Sequence, residues 1–97
     1  MRFDIVLAPE GIEDLRRLKA NVRAAVLIAL ETHLRHEPRK TSRSRIKRLR
    51  GLRRPQFRLR VGDIRVSYDV FDPRVEILAI VAKSEAESWL RQFGSRD

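Results

Sequence analysis

The chain has no cysteine. That excludes disulfides and thiolate-bound metal centres, and it fits a protein of the reducing cytoplasm. Long apolar runs are missing too, and none approaches the roughly 18 residues that a membrane span requires. The apolar part of the opening MRFDIVLAPE contains Asp4 and is too short for a signal peptide. There is no HExxH, no phosphate loop and no glycine-rich nucleotide motif, so neither a metal ion nor an organic cofactor is expected. The last scarcity is local: between Arg35 and Arg60 the only acid is Glu37, against twelve lysines and arginines. The chain carries +9 overall, so outside that stretch the charge is slightly negative. Charge concentrated in this way is the electrostatic footprint of a polyanion partner such as nucleic acid, or of an acidic protein segment.

At 97 residues the chain supports one domain, 1–97, with one modest core. Arg2 to Leu7 reads as a short strand ending at Ala8-Pro9. Pro9 then starts a helix over roughly residues 9 to 18, with Glu10, Glu13 and Asp14 near its positive end and Ile12, Leu15 and Leu18 on one face. Asn21 is the expected N-cap of a second, well-buried helix ending at Glu37, before Pro38. Residues 39 to 54, RKTSRSRIKRLRGLRR, are basic and poorly periodic, with Ile46, Leu49 and Leu52 as the only apolar anchors. Self-repulsion makes this the segment expected to be most mobile. Its Arg43, Arg45, Lys47, Arg48, Arg50, Arg53 and Arg54 are candidate RNA-phosphate contacts. His33 and His36, at the end of the second helix, are expected in helix-end or surface roles.

Three strands and a helix follow. In PQFRLRVGDIRVSY, Gly62-Asp63 is a two-residue hairpin signal, with glycine supplying the positive φ of a type II′ turn. Val61 then faces Ile64, Arg60 faces Arg65 and Arg58 faces Ser67. Alternation puts Arg58, Arg60 and Arg65 on one side and Phe57, Leu59, Val66 and Tyr68 on the other, in the core. A second turn at Asp72-Pro73-Arg74, with proline at its second position, predicts Asp72 opposite Val75, Val70 opposite Ile77 and Arg65 opposite Ala82, with Lys83 beside Arg65. Val75 to Val81 is apolar on both faces, as a covered central strand would be. Ser84 is the expected N-cap of a last helix over Glu85 to Phe93, with Ala86, Trp89, Leu90 and Phe93 on one face. Like charges directly opposite each other on a sheet are destabilising. The arginines therefore read as a phosphate-binding set, since guanidinium groups bind phosphate bidentately and stay protonated.

FRLRVGDIRVSYDV resembles the central hairpin of the RelE/ParE superfamily of type II toxin–antitoxin toxins. EILAIVAKSEAESWL is similar to that family's last strand running into its C-terminal segment, and the order of elements matches along essentially the whole chain. The resemblance implies an α+β fold, β-α-α-β-β-β-α. Its four-stranded, mainly antiparallel sheet would carry the N-terminal helical hairpin on one face, with a short C-terminal helix. It further implies a cytoplasmic toxin neutralised by a cognate antitoxin. In the RelE branch it implies cleavage of mRNA on the ribosome by attack of a ribose 2′-hydroxyl on the adjacent phosphate. Carried over by position, Arg58 and Arg60 are basic residues of the first hairpin strand, Arg65 is the arginine of the second, and Lys83 follows the last strand. These four are the candidate catalytic residues. Trp89 falls near an expected C-terminal tyrosine, and an indole cannot supply a catalytic proton. Acid–base work would then fall to Lys83, Arg65, Glu85 or Glu87. The alternatives are a ParE-like inhibitor of DNA gyrase without nuclease activity and a non-toxic nucleic-acid-binding module.

Overall fold

The Gly62-Asp63 turn sets the register of the sheet. Gly62 has φ 58° and is followed by a residue of ordinary φ, as a type II′ turn requires. The pairs Val61–Ile64, Arg60–Arg65, Arg58–Ser67 and Phe57–Tyr68 are those the turn dictates. The computed structural model describes residues 1–96. Its elements are β1 (Asp4–Leu7), α1 (Pro9–Arg17), α2 (Ala20–Leu34), β2 (Ile46–Arg48), β3 (Phe57–Val61), β4 (Ile64–Phe71), β5 (Arg74–Ala82) and α3 (Lys83–Phe93).

The strands form one five-stranded sheet, ordered β1-β5-β4-β3-β2, with β1 parallel to β5 and the other pairs antiparallel. The expected four strands become five because part of the basic segment is itself a strand. Ile46 is buried opposite Leu59, and Lys47 and Arg48 extend along β3. The segment also makes contacts elsewhere. The Ser42 hydroxyl accepts from the amides of Arg45 and Ile46 at 3.0 and 3.2 Å. Leu49 is buried and its amide donates to Gln56. Arg54 forms an antiparallel bridge with Ser95.

One face of the sheet holds the main core. Val26, Leu30 and Leu34 of α2 pack with Leu59, Val66, Tyr68, Val75, Ile77 and Ile80. Phe57 and Tyr68, directly paired, stack with centroids 5.5 Å apart, and the Tyr68 hydroxyl donates to the Pro38 carbonyl at 2.7 Å. Helix α2 is less enclosed than its sequence suggests, since Leu27 is exposed and Ile28 is 66% exposed. It starts at Ala20 with Lys19 as N-cap, not at Asn21, and ends at Leu34, three residues before the expected Glu37. Arg35 then binds Glu31 and donates to the Phe3 carbonyl, replacing a further helical turn. Helix α1 departs from the expected layout by running along the edge of β5 beyond the end of β1. There the Asp14 carboxylate accepts from the Ile80 amide at 2.9 Å. A Cβ on Gly11 would stand 2.8 Å from the Ile77 carbonyl oxygen, so only glycine permits this approach.

The second turn differs from its expected geometry. Phe71 pairs with Arg74, so Asp72 and Pro73 are the two central residues and proline is the third residue of the turn. The register then changes between Ser67 and Tyr68: Tyr68 faces Ile77, Ser67 faces Ala79, and Leu78 is the extra residue. Val70 therefore faces Val75 and Arg65 faces Val81, in place of the expected Ile77 and Ala82. The bulge lets Val75, Ile77 and Ile80 all serve the α2 face while Ala79 is buried on the opposite one. Helix α3 packs against β4 and β5. Ala82, not Ser84, is its N-cap, and no side chain caps it.

Candidate nucleic-acid interface

Alternation along β3 and β4 projects Arg58, Arg60, Arg65, Ser67 and Asp69 from the face opposite the α2 core. These residues divide into two environments. At one end Asp69, fully buried, accepts from Arg54 Nε at 2.6 Å and from the Gln56 amide at 2.7 Å. Arg54 Nη2 reaches Glu76 at 2.8 Å, and Gln56 Oε1 accepts from the Val70 amide at 2.9 Å. The hydrogen bond that Arg54 donates to Asp69, ahead of the Asp69 and Glu76 charges, raises the Arg54 pKa. This is a satisfied clamp, and it takes Arg54 out of the set of free basic side chains.

At the other end a hollow of about 130 Å³ is lined by Ser42, Arg43, Ser44, Arg45, Ile46, Lys47, Arg58, Arg60 and Arg65. Six cations converge here, and none has an ion-pair partner among the described residues. Arg65 is the buried one, at 6% exposure, with Nη1 donating to the Gly62 and Ile64 carbonyls at 2.8 and 3.1 Å. It both locks the hairpin turn and forms part of the wall. Burial first, then the Arg58 and Arg60 charges, lower its pKa, and the Asp63 counter-charge only partly offsets them. A phosphate group would add further counter-charge, since it can accept from several guanidinium groups at once.

The other candidates fall outside this hollow. Lys83 is the exposed first residue of α3, and its amide donates to the Asp63 carbonyl at 2.7 Å, which places it by the hairpin turn. Arg48 lies over the Phe57 ring, 5.1 Å from its centroid. Arg50 lines a separate hollow with Arg91 and Arg96, and Arg53 is exposed beside the bridge to Ser95. Trp89 is half-buried against Phe93 in a groove beside α1, apart from the hollow that holds Arg58, Arg60 and Arg65. His33 is half-buried, and burial followed by the Arg45 charge lowers its pKa. His36 Nδ1 stands 3.3 Å from the Met1 carbonyl oxygen. Sequence reasoning missed Ser42 and Ser44 as lining residues. Their place among the bases of TSRSR was the available signal. Among the described residues no group of acids and histidines is arranged to hold a metal ion.

No family model matches the chain, and no curated protein matches it by sequence. Solved structures do. The toxin in an archaeal RelE–RelB complex from Pyrococcus horikoshii superposes with TM-score 0.69 at 23% identity, covering 86% of this chain and 97% of that one. A mutant Escherichia coli RelE toxin in the free state gives TM-score 0.70 at 19% identity, covering 96% and 99%. The RelBE2 toxin–antitoxin complex from Mycobacterium tuberculosis gives 0.65 at 26% identity, covering 84% and 99%. The similarity extends over most of the chain, and the fold of this chain is that of the RelE-like toxin superfamily.

Proposed function

We propose that the chain is the toxin of a type II toxin–antitoxin pair and acts as a metal-independent mRNA interferase, a single-domain endoribonuclease that inhibits translation on the ribosome. The observation that carries this reading is the hollow in which Arg43, Arg45, Lys47, Arg58, Arg60 and Arg65 converge without carboxylates, on a RelE-like fold. In this reading RNA phosphates enter the hollow, and Arg58, Arg60 and Arg65 stabilise charge developing on the phosphorane. Attack by the 2′-hydroxyl needs no protein nucleophile. Lys47 or Lys83 assists by neutralising charge or moving a proton. Arg48, Arg50 and Arg53 extend the phosphate track beyond the hollow. The toxin–antitoxin complexes among the structural neighbours support an antitoxin partner, and in this reading an acidic segment of it covers the same cations.

One observation favours a second reading. The hollow holds no imidazole, phenol or carboxylate, so conventional acid–base chemistry has no obvious donor there. A ParE-like inhibitor of DNA gyrase, acting by binding alone, needs none. Induction in bacteria of the wild type and of Arg58→Ala/Arg60→Ala, with mapping of mRNA 5′ ends, separates the two. The nuclease reading expects cuts within translated frames that vanish in the variant. Intact mRNA with DNA damage selects gyrase, and harmless expression of both proteins overturns the toxin reading.

A further inference from the structure

A concavity larger than the basic hollow lies elsewhere on the surface. It is a groove of about 750 Å³ between α1 and α3, floored by Leu78 and Val81 of β5 and walled on the α3 side by Trp89 and Phe93. Phe93 is 60% exposed and stands 5.6 Å from the half-buried Trp89 ring, so two adjacent aromatic rings line the groove and the outer one is largely uncovered by the described residues. Isolated exposed aromatics are ordinary, but here they continue an apolar floor within a concave surface.

The charge of the groove is opposite to that of the protein. Its rim carries Glu10, Glu13 and Asp14 from α1 and Glu85 from α3, against Arg17 and Arg54. Arg54 is already held by Asp69 and Glu76, and Arg17 lies 3.9 Å from Asp14. Glu13 pairs with Arg16, while Glu10 and Glu85 make no ion pair among the described residues. What remains uncompensated is therefore negative, on both walls, in a chain of net charge +9. Nucleic acid and acidic peptides are repelled here and drawn to the opposite charge in the hollow.

We propose that this groove is a docking site for a cationic amphipathic helix of a partner protein. Apolar side chains of one helical face would lie on Leu78, Val81, Trp89 and Phe93, and flanking lysines or arginines would meet Glu10 and Glu85. Helix-in-groove recognition of this kind reads apolar anchors at i, i+3, i+4 and i+7 and uses rim charges for orientation. The site is separate from the basic hollow, so the protein can hold a polyanion and a polycation at the same time.

Trp89 is the only tryptophan and reports on the groove directly. The probes are two synthetic helical peptides sharing one leucine stripe, one with lysine and one with glutamate at every polar position. The leucine–lysine peptide is expected to shift Trp89 emission to the blue and saturate, despite the repulsive net charge. The leucine–glutamate peptide is expected to leave that emission unchanged. Glu10→Lys/Glu85→Lys is expected to weaken the lysine peptide about tenfold, and Glu10→Gln/Glu85→Gln, which disturbs folding less, about threefold. The proposal is overturned by equal Trp89 shifts with both peptides or by unchanged affinity in both variants. It is also overturned if the protein alone sediments as a dimer whose Trp89 emission moves to the red on dilution, since a second copy would then fill the groove.

Discussion

Two ends of one sheet face carry arginines in opposite circumstances. Arg54 is gripped by Asp69 and Glu76 at 2.6 and 2.8 Å. Arg58, Arg60 and Arg65 surround a hollow with no carboxylate in its walls. The difference teaches how to tell an arginine that the fold itself employs from arginines it leaves without a partner carboxylate. The first completes a buried carboxylate and makes the fold more stable. The second raises the energy of the fold by crowding like charges, and an incoming anion relieves that crowding.

The comparison breaks if removing either kind of arginine has the same effect. Arg54→Ala leaves the Asp69 carboxylate buried without its cation, which should cost about 3 kcal/mol in urea unfolding, with polyanion affinity little changed. Arg60→Ala should do the reverse. Loss of a charge-assisted bond to phosphate should lower RNA affinity about tenfold and reduce the salt dependence by about one phosphate contact. Its thermal stability should stay level or rise by a few tenths of a kcal/mol, because Arg60 and Arg65 no longer face each other. Asp69→Asn tests the clamp from its other side. The Gln56 amide keeps an acceptor but Arg54 loses its counter-charge, so about 1 kcal/mol should be lost in the same unfolding assay.

The smallest effect concerns His33, beside the hollow's Arg45. Burial holds its folded pKa below the ordinary 6.5, so the folded state binds fewer protons than the unfolded chain as pH falls past that value. Stability should therefore decline on acidification from about pH 6.5 downward until the folded-state imidazole also protonates. Replacing His33 with glutamine should flatten that part of a pH–stability profile measured by thermal unfolding.

The hairpin was fully legible, because a two-residue turn at Gly62 fixes every pair that follows it and hence the common face of Arg58, Arg60 and Arg65. The next turn was not. Proline occupies its third position, and the extra residue at Leu78 changes the register by one, a bulge that no local composition announces. β2 escaped notice because its single buried residue, Ile46, lies within a run of bases, and its pairing depends on Leu59 thirteen residues later. Arg54 looked like one more phosphate contact, since Asp69, its partner, lies on another strand. The exposed Leu27 and Ile28 have a similar cause: apolar residues all round a helix do not say which of them the sheet will cover.

The bridge between Arg54 and Ser95 has a consequence for the order in which the molecule opens. The amides of Arg53, Arg54 and Ser95 all donate across this junction, at 2.8, 3.2 and 2.7 Å. A basic loop that its own repulsion would loosen is thus stitched to the residues following α3. In hydrogen exchange these three amides should lose protection together, so that fraying of the last helix and release of the cationic segment form one cooperative unit.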